Sequence, residues 1–306
     1  MHCTHTSKCL DIVCRPWAPR TNTGTGHGSQ YGTWRKSDKL PSWIRQVNHL
    51  PFGTDSTTGR RNGDLFIGHP NQPYYATALG SAAMPIFGYV TESGKREFNG
   101  SMTVSGFVVG VINKISSRSQ GGTLPADWIK LFKCQQDDDG YDENDEMNDD
   151  DDNESDKTDS VPNHLWRTLV ADRGPGGTSA PLWYHQACRY WLGEYSDVDI
   201  TTDMIRDKKL PSMALEFIQR VRSVIWNRTL FTITDSENRQ LFGLGPPNAK
   251  EVHSICVLHA CSVPVVLRQV GGHWRLVGEC FVYGMMDGEA MQVKKYVERT
   301  QEFVLR

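Results

Sequence analysis

ICVLHACSVPVVLR (255–268) and, beyond a Gly-Gly turn, RLVGECFVYGMMDGEA (275–290) decide how this chain is read. β-Branched and aromatic residues crowd both stretches, and Pro264, Gly271-Gly272 and Gly284 cut them into short pieces. Such runs between turn residues predict short strands in a tightly turned β unit. Just upstream, TLFTIT (229–234) and QLFGL (240–244) flank an Asp-Ser-Glu-Asn turn. Strands are therefore expected at 229–234, 240–244, 255–260, 263–267 and 274–283, and a terminal helix at 289–298. Five short antiparallel strands predict a small curled barrel or sandwich.

Working outward, helices are expected before the β unit. Residues 164–171 set Leu165, Trp166, Leu169 and Val170 on one helical face, and 181–192 does the same with Trp183, Ala187, Tyr190 and Trp191 before Gly193. A third helix over 212–227 carries a stripe of Phe217, Ile218, Val221, Val224 and Ile225. The expected class is α+β. A helical segment packs on the small antiparallel barrel or sandwich at the C-terminus, behind a loop- and strand-rich N-terminal region.

The formal charge of −3 hides an asymmetry. Residues 137–159 (DDDGYDENDEMNDDDDNESDKTD) hold 14 of the 36 acidic residues and one base, Lys157, leaving 32 bases against 22 acids elsewhere, or +10. Charges this dense repel one another and bury no apolar surface, so 135–160 reads as a disordered acidic linker between regions 1–134 and 161–306. Its simplest role is a solvated insert. It could also screen basic surface from anionic partners. An EF-hand register from Gln135 puts Asp137, Asp139, Gly140, Glu143 and Glu146 at loop positions, but the first ligand is Gln, Asp142 replaces an apolar residue, and no amphipathic helix follows.

The N-terminal region is rich in turn residues. TNTGTGHGSQYG (21–32) has the glycines of a nucleotide loop but follows no strand and opens no helix, so it reads as a loop. Clear structure is expected at 102–116, a β-rich run with Val104, Phe107, Val109, Val111 and Ile115, and then at LPADWIKLF, a short helix after Pro125.

With 306 residues the chain can bury a sizeable core. It has no apolar run of membrane-spanning length and no secretory leader pattern, so a cytoplasmic protein is expected. The eight cysteines then read as reduced thiols, several of them serving as small hydrophobes in strands. Cys3, His5, Cys9 and Cys14 lack the paired spacing of a structural zinc site. No GxSxG, HExxH or Walker loop is present. Ser262, His259 and Asp287 can be written as a triad, which only geometry could recommend. No cofactor and no metal are expected. Nor is a nucleic-acid partner, because the +10 is scattered without a basic-aromatic stripe.

Several words together resemble fungal heterokaryon-incompatibility (HET-domain) proteins, in the region that follows the HET domain. They are CLDIVCRPWAP (9–19), LPSWI (40–44), GDLFIG (63–68), PYYATA (73–78), MTVSGFVVGVINKI (102–115), HLWRTLVADRG (164–174), FIQRVRSVIWNR (217–228), GLGPPNA (243–249) and the two opening stretches. The match covers nearly the whole chain, yet nothing before residue 9 could hold the HET domain itself. The resemblance implies a non-enzymatic regulatory role in self/non-self recognition and programmed cell death. It also implies a protein partner, with another family member as one candidate.

The polar and turn residues inside these words are the candidate motif: Trp166, Arg167, Asp172, Arg173, Trp226, Arg228, Gly278, Glu279, Gly284, Asp287, Gly288 and Glu289. Read structurally, Arg167, Asp172 and Arg173 make local ion pairs at a helix end, Asp287 and Glu289 a turn and cap, and Arg228 a buried ion pair. The functional alternative is an exposed recognition surface. The rival function is a small-ligand binder or hydrolytic enzyme with a pocket between the helices and the β unit.

Overall fold

The computed structural model describes residues 84–133, 161–174, 178–195, 199–201 and 211–306, together with residues 10, 11, 13, 41–43, 63, 66, 67 and 74–77. The zinc, nucleotide-loop, EF-hand and acidic-linker readings all fall outside the described residues.

Among the described residues nine strands form one sheet. A hairpin of β1 (Ile86–Glu92) and the long β2 (Lys95–Arg118) comes first, followed by α1 (Ala126–Lys133). Helices α2 (Asn163–Leu169), α3 (Trp183–Tyr195) and α4 (Ser212–Ile225) come next. Then follow β3 (Thr229–Asp235), β4 (Gln240–Gly245), β5 (Ser254–Leu258), β6 (Val265–Val270), β7 (His273–Glu279) and β8 (Phe281–Val282). Two single turns, α5 (Glu289–Gln292) and α6 (Lys294–Val297), lead to β9 (Gln301–Leu305).

The sheet is mostly antiparallel, in the order β5-β6-β7-β9-β2-β3-β4-β8, with β1 also on β2 and a further pairing of β5 with β2. Among the described strands only β7 and β9 run parallel. The long β2 is the hub. Its residues pair with β1, β3, β5 and β9, so the stretches before and after the acidic run contribute to one sheet. The β unit expected from the C-terminal third is therefore larger than that third, and its central strand lies in the N-terminal region.

Away from the exposed β1, both faces of this sheet are covered, which explains why strands such as β3 and β5 read as apolar runs instead of clean alternation. Met102 and Val104 of β2, Cys256 and Leu258 of β5, and Val265 and Leu267 of β6 face the helices. There they meet Trp128, Trp166, Trp191, Phe217 and Ile225. Phe107 and Val109 of β2, Phe231 and Ile233 of β3, and Val257 of β5 face a second core closed by Met285, Ala290 and Tyr296. Tyr296 stacks on Phe107 at 5.7 Å and donates its hydroxyl to Asp235 at 2.9 Å. Burial works to raise the Asp235 carboxyl, but hydrogen bonds from the Arg239 backbone and side chain, the Glu237 N–H and the Tyr296 hydroxyl outweigh it and hold it low.

Three sequence expectations are corrected. The terminal helix over 289–298 is two separate turns, because Val293 between them is extended (φ −80°, ψ 101°). Strand β6 starts at Val265, since Pro264 supplies a carbonyl to the Cys280 N–H (3.0 Å) but has no N–H for the ladder. Strands β1 and β9 were not expected at all. β1 is exposed along nearly its whole length, so no buried face marks it, and the three residues between α6 and β9 include no Gly or Pro. No helix among the described residues is long and apolar enough to cross a membrane.

Candidate functional site

The sequence words meet in space around three polar nodes. The first is Arg228, just past α4, with Glu279 at the end of β7. Both side chains are fully buried and their charged atoms lie 3.0 Å apart. Arg228 also donates to the Val224 carbonyl (2.6 Å) and lies 3.7 Å above the Phe66 ring, while the Phe66 N–H donates to Glu279 at 3.2 Å. Burial pushes Glu279 up to about 7, with Arg228 and the Phe66 N–H pulling the other way and Asp11 adding to the rise. Glu279 Oε2 has no hydrogen-bond partner among the described residues.

The second node joins α2 to the turn before α5. Arg173 donates to both carboxylate oxygens of Asp287, at 2.6 and 2.7 Å, and lies 4.4 Å over the Tyr74 ring. Burial opposes the Arg173 charge, but Asp287, Tyr74 and Asp172 outweigh it and raise its pKa. Tyr74 donates to the Ala171 carbonyl at 2.5 Å, and burial drives its hydroxyl well above the ordinary range. Arg220 of α4 adds bonds to the carbonyls of Arg173 (3.1 Å) and Val170 (3.2 Å).

The third node is Ser262, whose N–H and hydroxyl both donate to Asp11, at 2.6 and 2.8 Å. Residues 74–77 tie the nodes together. The Tyr75 N–H donates to the Met286 carbonyl, the Ala76 N–H to that of Ser262, and the Thr77 hydroxyl to that of Cys261. Phe66 and Tyr74 both pack on Phe281, at 6.0 and 6.4 Å, so the two rings beneath the two arginines share one neighbour.

The remaining candidate residues fall around these nodes. Trp166 is buried and hydrogen-bonds Asn163, with Arg167 stacked 4.5 Å over it; Arg167 also pairs with Asp172 at 2.5 Å. Arg167 and Asp172 thus make the local pair expected of them. Arg173, expected to pair locally, instead bridges to Asp287, 114 residues on. Trp226 ends α4 and packs so close to Gly63 that a Cβ there would sit 2.9 Å from its own. Gly278 lies at the register shift between β6 and β7. Gly284 (φ 74°) and Gly288 (φ 98°) turn the chain before α5. The cap position of α5 is Gly288, while Glu289 accepts the Asp287 N–H at 2.7 Å.

The written triad of Ser262, His259 and Asp287 does not assemble. Ser262 is committed to Asp11 and Asp287 to Arg173, while His259 packs edge-on to Phe107 and its Nε2 has no partner among the described residues. Sequence reasoning also missed Asp11, Phe66, Tyr74 and Arg220. The signal that could have found them is their place inside the resembling words CLDIVC (9–14), GDLFIG (63–68), PYYATA (73–78) and FIQRVRSVIWNR (217–228).

The end of α2 carries strain. Helix α2 ends with the Ala171 N–H bonded to Thr168 O and the Asp172 N–H to Arg167 O, the pattern of a Schellman cap. Glycine usually takes the left-handed position of that cap, yet here Ala171 (φ 51°) and Asp172 (φ 50°) are both left-handed. Ala171→Gly is expected to stabilise the protein by about 0.5–1 kcal/mol, read as a higher urea midpoint at unchanged slope.

The chain matches no protein-family model, no curated protein and no solved structure.

Proposed function

We propose that this chain is a non-enzymatic interaction module of the fungal heterokaryon-incompatibility type, acting in the cytoplasm through a protein partner. In this reading the circuit of strands β2, β5, β6, β7 and β9 is a small barrel, in which β2 and β9 take the places that the sequence assigned to β3 and β4. The observation that supports it is how the polar residues of the resembling words are used. Arg228 pairs with Glu279, Arg173 with Asp287 and Ser262 with Asp11, so each is spent on holding distant segments together. Catalytic groups would instead converge on a space where a reacting atom could sit.

The test is expression of the chain in a compatible fungal host, alone and beside a full-length relative that triggers death. A neutral phenotype alone, with suppression of killing when the two are coexpressed, is expected from a module that occupies a partner. Death caused by the chain alone, and abolished by Ser262→Ala or Asp287→Ala without loss of folded protein, would favour the hydrolytic reading instead.

A further inference from the structure

The turn after α2 is built against its own preference. Leu169, Val170, Ala171, Asp172 and Arg173 contain no Gly and no Pro, and Ala171 is the best helix former among the amino acids. Nothing local stops the helix before Gly174-Pro175, yet α2 ends at Leu169 and the next two φ angles after Val170 are left-handed. Such conformations persist only where the surroundings over-determine them.

The surroundings do so here through side chains from four separate parts of the chain. Tyr74 holds the Ala171 carbonyl from one side. Arg220 of α4 holds the carbonyls of Val170 and Arg173 from another. Arg167 holds the Asp172 side chain, and Asp287 holds Arg173 by both oxygens. These clamps differ in access. The Tyr74 ring is 2% exposed, whereas the Asp287 side chain is 40% exposed against 10% for Arg173. The Arg167–Asp172 pair lies between these extremes, so Asp287 is the clamp most open to a solvent-borne change. It stands on the turn that carries Met286, whose carbonyl holds Tyr75.

We propose that residues 170–173 are a two-state element. With Arg173 clamped by Asp287 the turn is left-handed, and when that clamp opens, α2 extends by about one turn to Arg173. Extension removes the two left-handed residues and gives Ala171 and Asp172 the right-handed conformation that their side chains favour. It also withdraws the Ala171 carbonyl from Tyr74 and the Val170 and Arg173 carbonyls from Arg220. Opening of the exposed pair is thereby transmitted to residues 74–77 and to α4. This device follows from the geometry alone and does not depend on the proposed function.

The experiment is backbone NMR on the full chain, comparing wild type, Asp287→Asn, Ala171→Gly and the double variant. In Asp287→Asn the carbon shifts of residues 170–173 are expected to move to helical values, and the amides of residues 75 and 76 to exchange at least tenfold faster. In the double variant, glycine removes much of the strain, so the shifts should return toward the wild-type turn. Left-handed shifts at 171 and 172 in a folded Asp287→Asn protein would overturn the proposal. If Asp287→Asn does not fold, the double variant decides: recovery of the wild-type turn supports the device, and failure to recover it overturns it.

Discussion

Arg228→Met is expected to cost the fold about 3–5 kcal/mol at pH 8, because it leaves the Glu279 carboxylate buried without its cation. The pair has no solvent to fall back on, since both side chains are fully buried. The substitution also removes the donor to the Val224 carbonyl and the cation over Phe66. The cost should shrink toward pH 5.5, where Glu279 holds a proton in both proteins. The sign follows from its pKa, pushed up to about 7 in the fold from an ordinary 4.5. A carboxyl with a raised folded pKa contributes its stabilisation in full below the unfolded value and gives it up as pH rises through the folded one. Wild-type stability should therefore decline between pH 5 and 7 through this residue, and Glu279→Gln should flatten that decline. Replacing both partners, as Arg228→Met with Glu279→Leu, should recover most of the loss, because matched apolar groups substitute well for a buried pair. Urea titrations across pH on the four proteins check all of this; a loss below about 1 kcal/mol for Arg228→Met at pH 8 would contradict it.

Gly106→Ala is the second large effect. A Cβ at Gly106 would sit 2.4 Å from the Val257 carbonyl oxygen and 2.9 Å from the Leu258 Cα, both backbone atoms of β5. Neither can move without parting β2 from β5, so a loss of about 3 kcal/mol or more is expected. Gly272→Ala is the control, because no atom lies within 4 Å of the added methyl. If the two variants unfold at the same urea concentration, the close approach of the strands is not what holds this part of the sheet.

The sequence was legible where burial is one-sided. The apolar stripe of Phe217, Ile218, Val221 and Val224 announces α4 because only one face of that helix is covered. The same logic fails at β1, whose Ile86, Tyr89 and Val90 all stay exposed, and no alternation marks it. It also fails to show that β2 belongs with β5 and β9, since register between remote strands is fixed by packing that no local pattern encodes. In the candidate site the local pair of Arg167 and Asp172 could be read, and the partners remote in sequence could not. Arg228 invites a buried acid, but Glu279 lies 51 residues away, and Asp11 is 251 residues from Ser262. Polar residues inside apolar words therefore announce that a pair exists without saying with what.

The central place of β2 has a consequence during synthesis. It leaves the ribosome long before β3 and β5, and before β9, the last strand made. At the usual pace of translation the wait for β9 is on the order of 10–40 s. Until then the part of this 24-residue strand that β9 covers, Met102 to Gly106, lacks that neighbour, and an unpaired strand edge is the condition under which nascent chains associate with one another. The yield of folded chain is therefore expected to fall with expression rate more steeply than its final stability would suggest, which soluble yield across a series of induction levels would check.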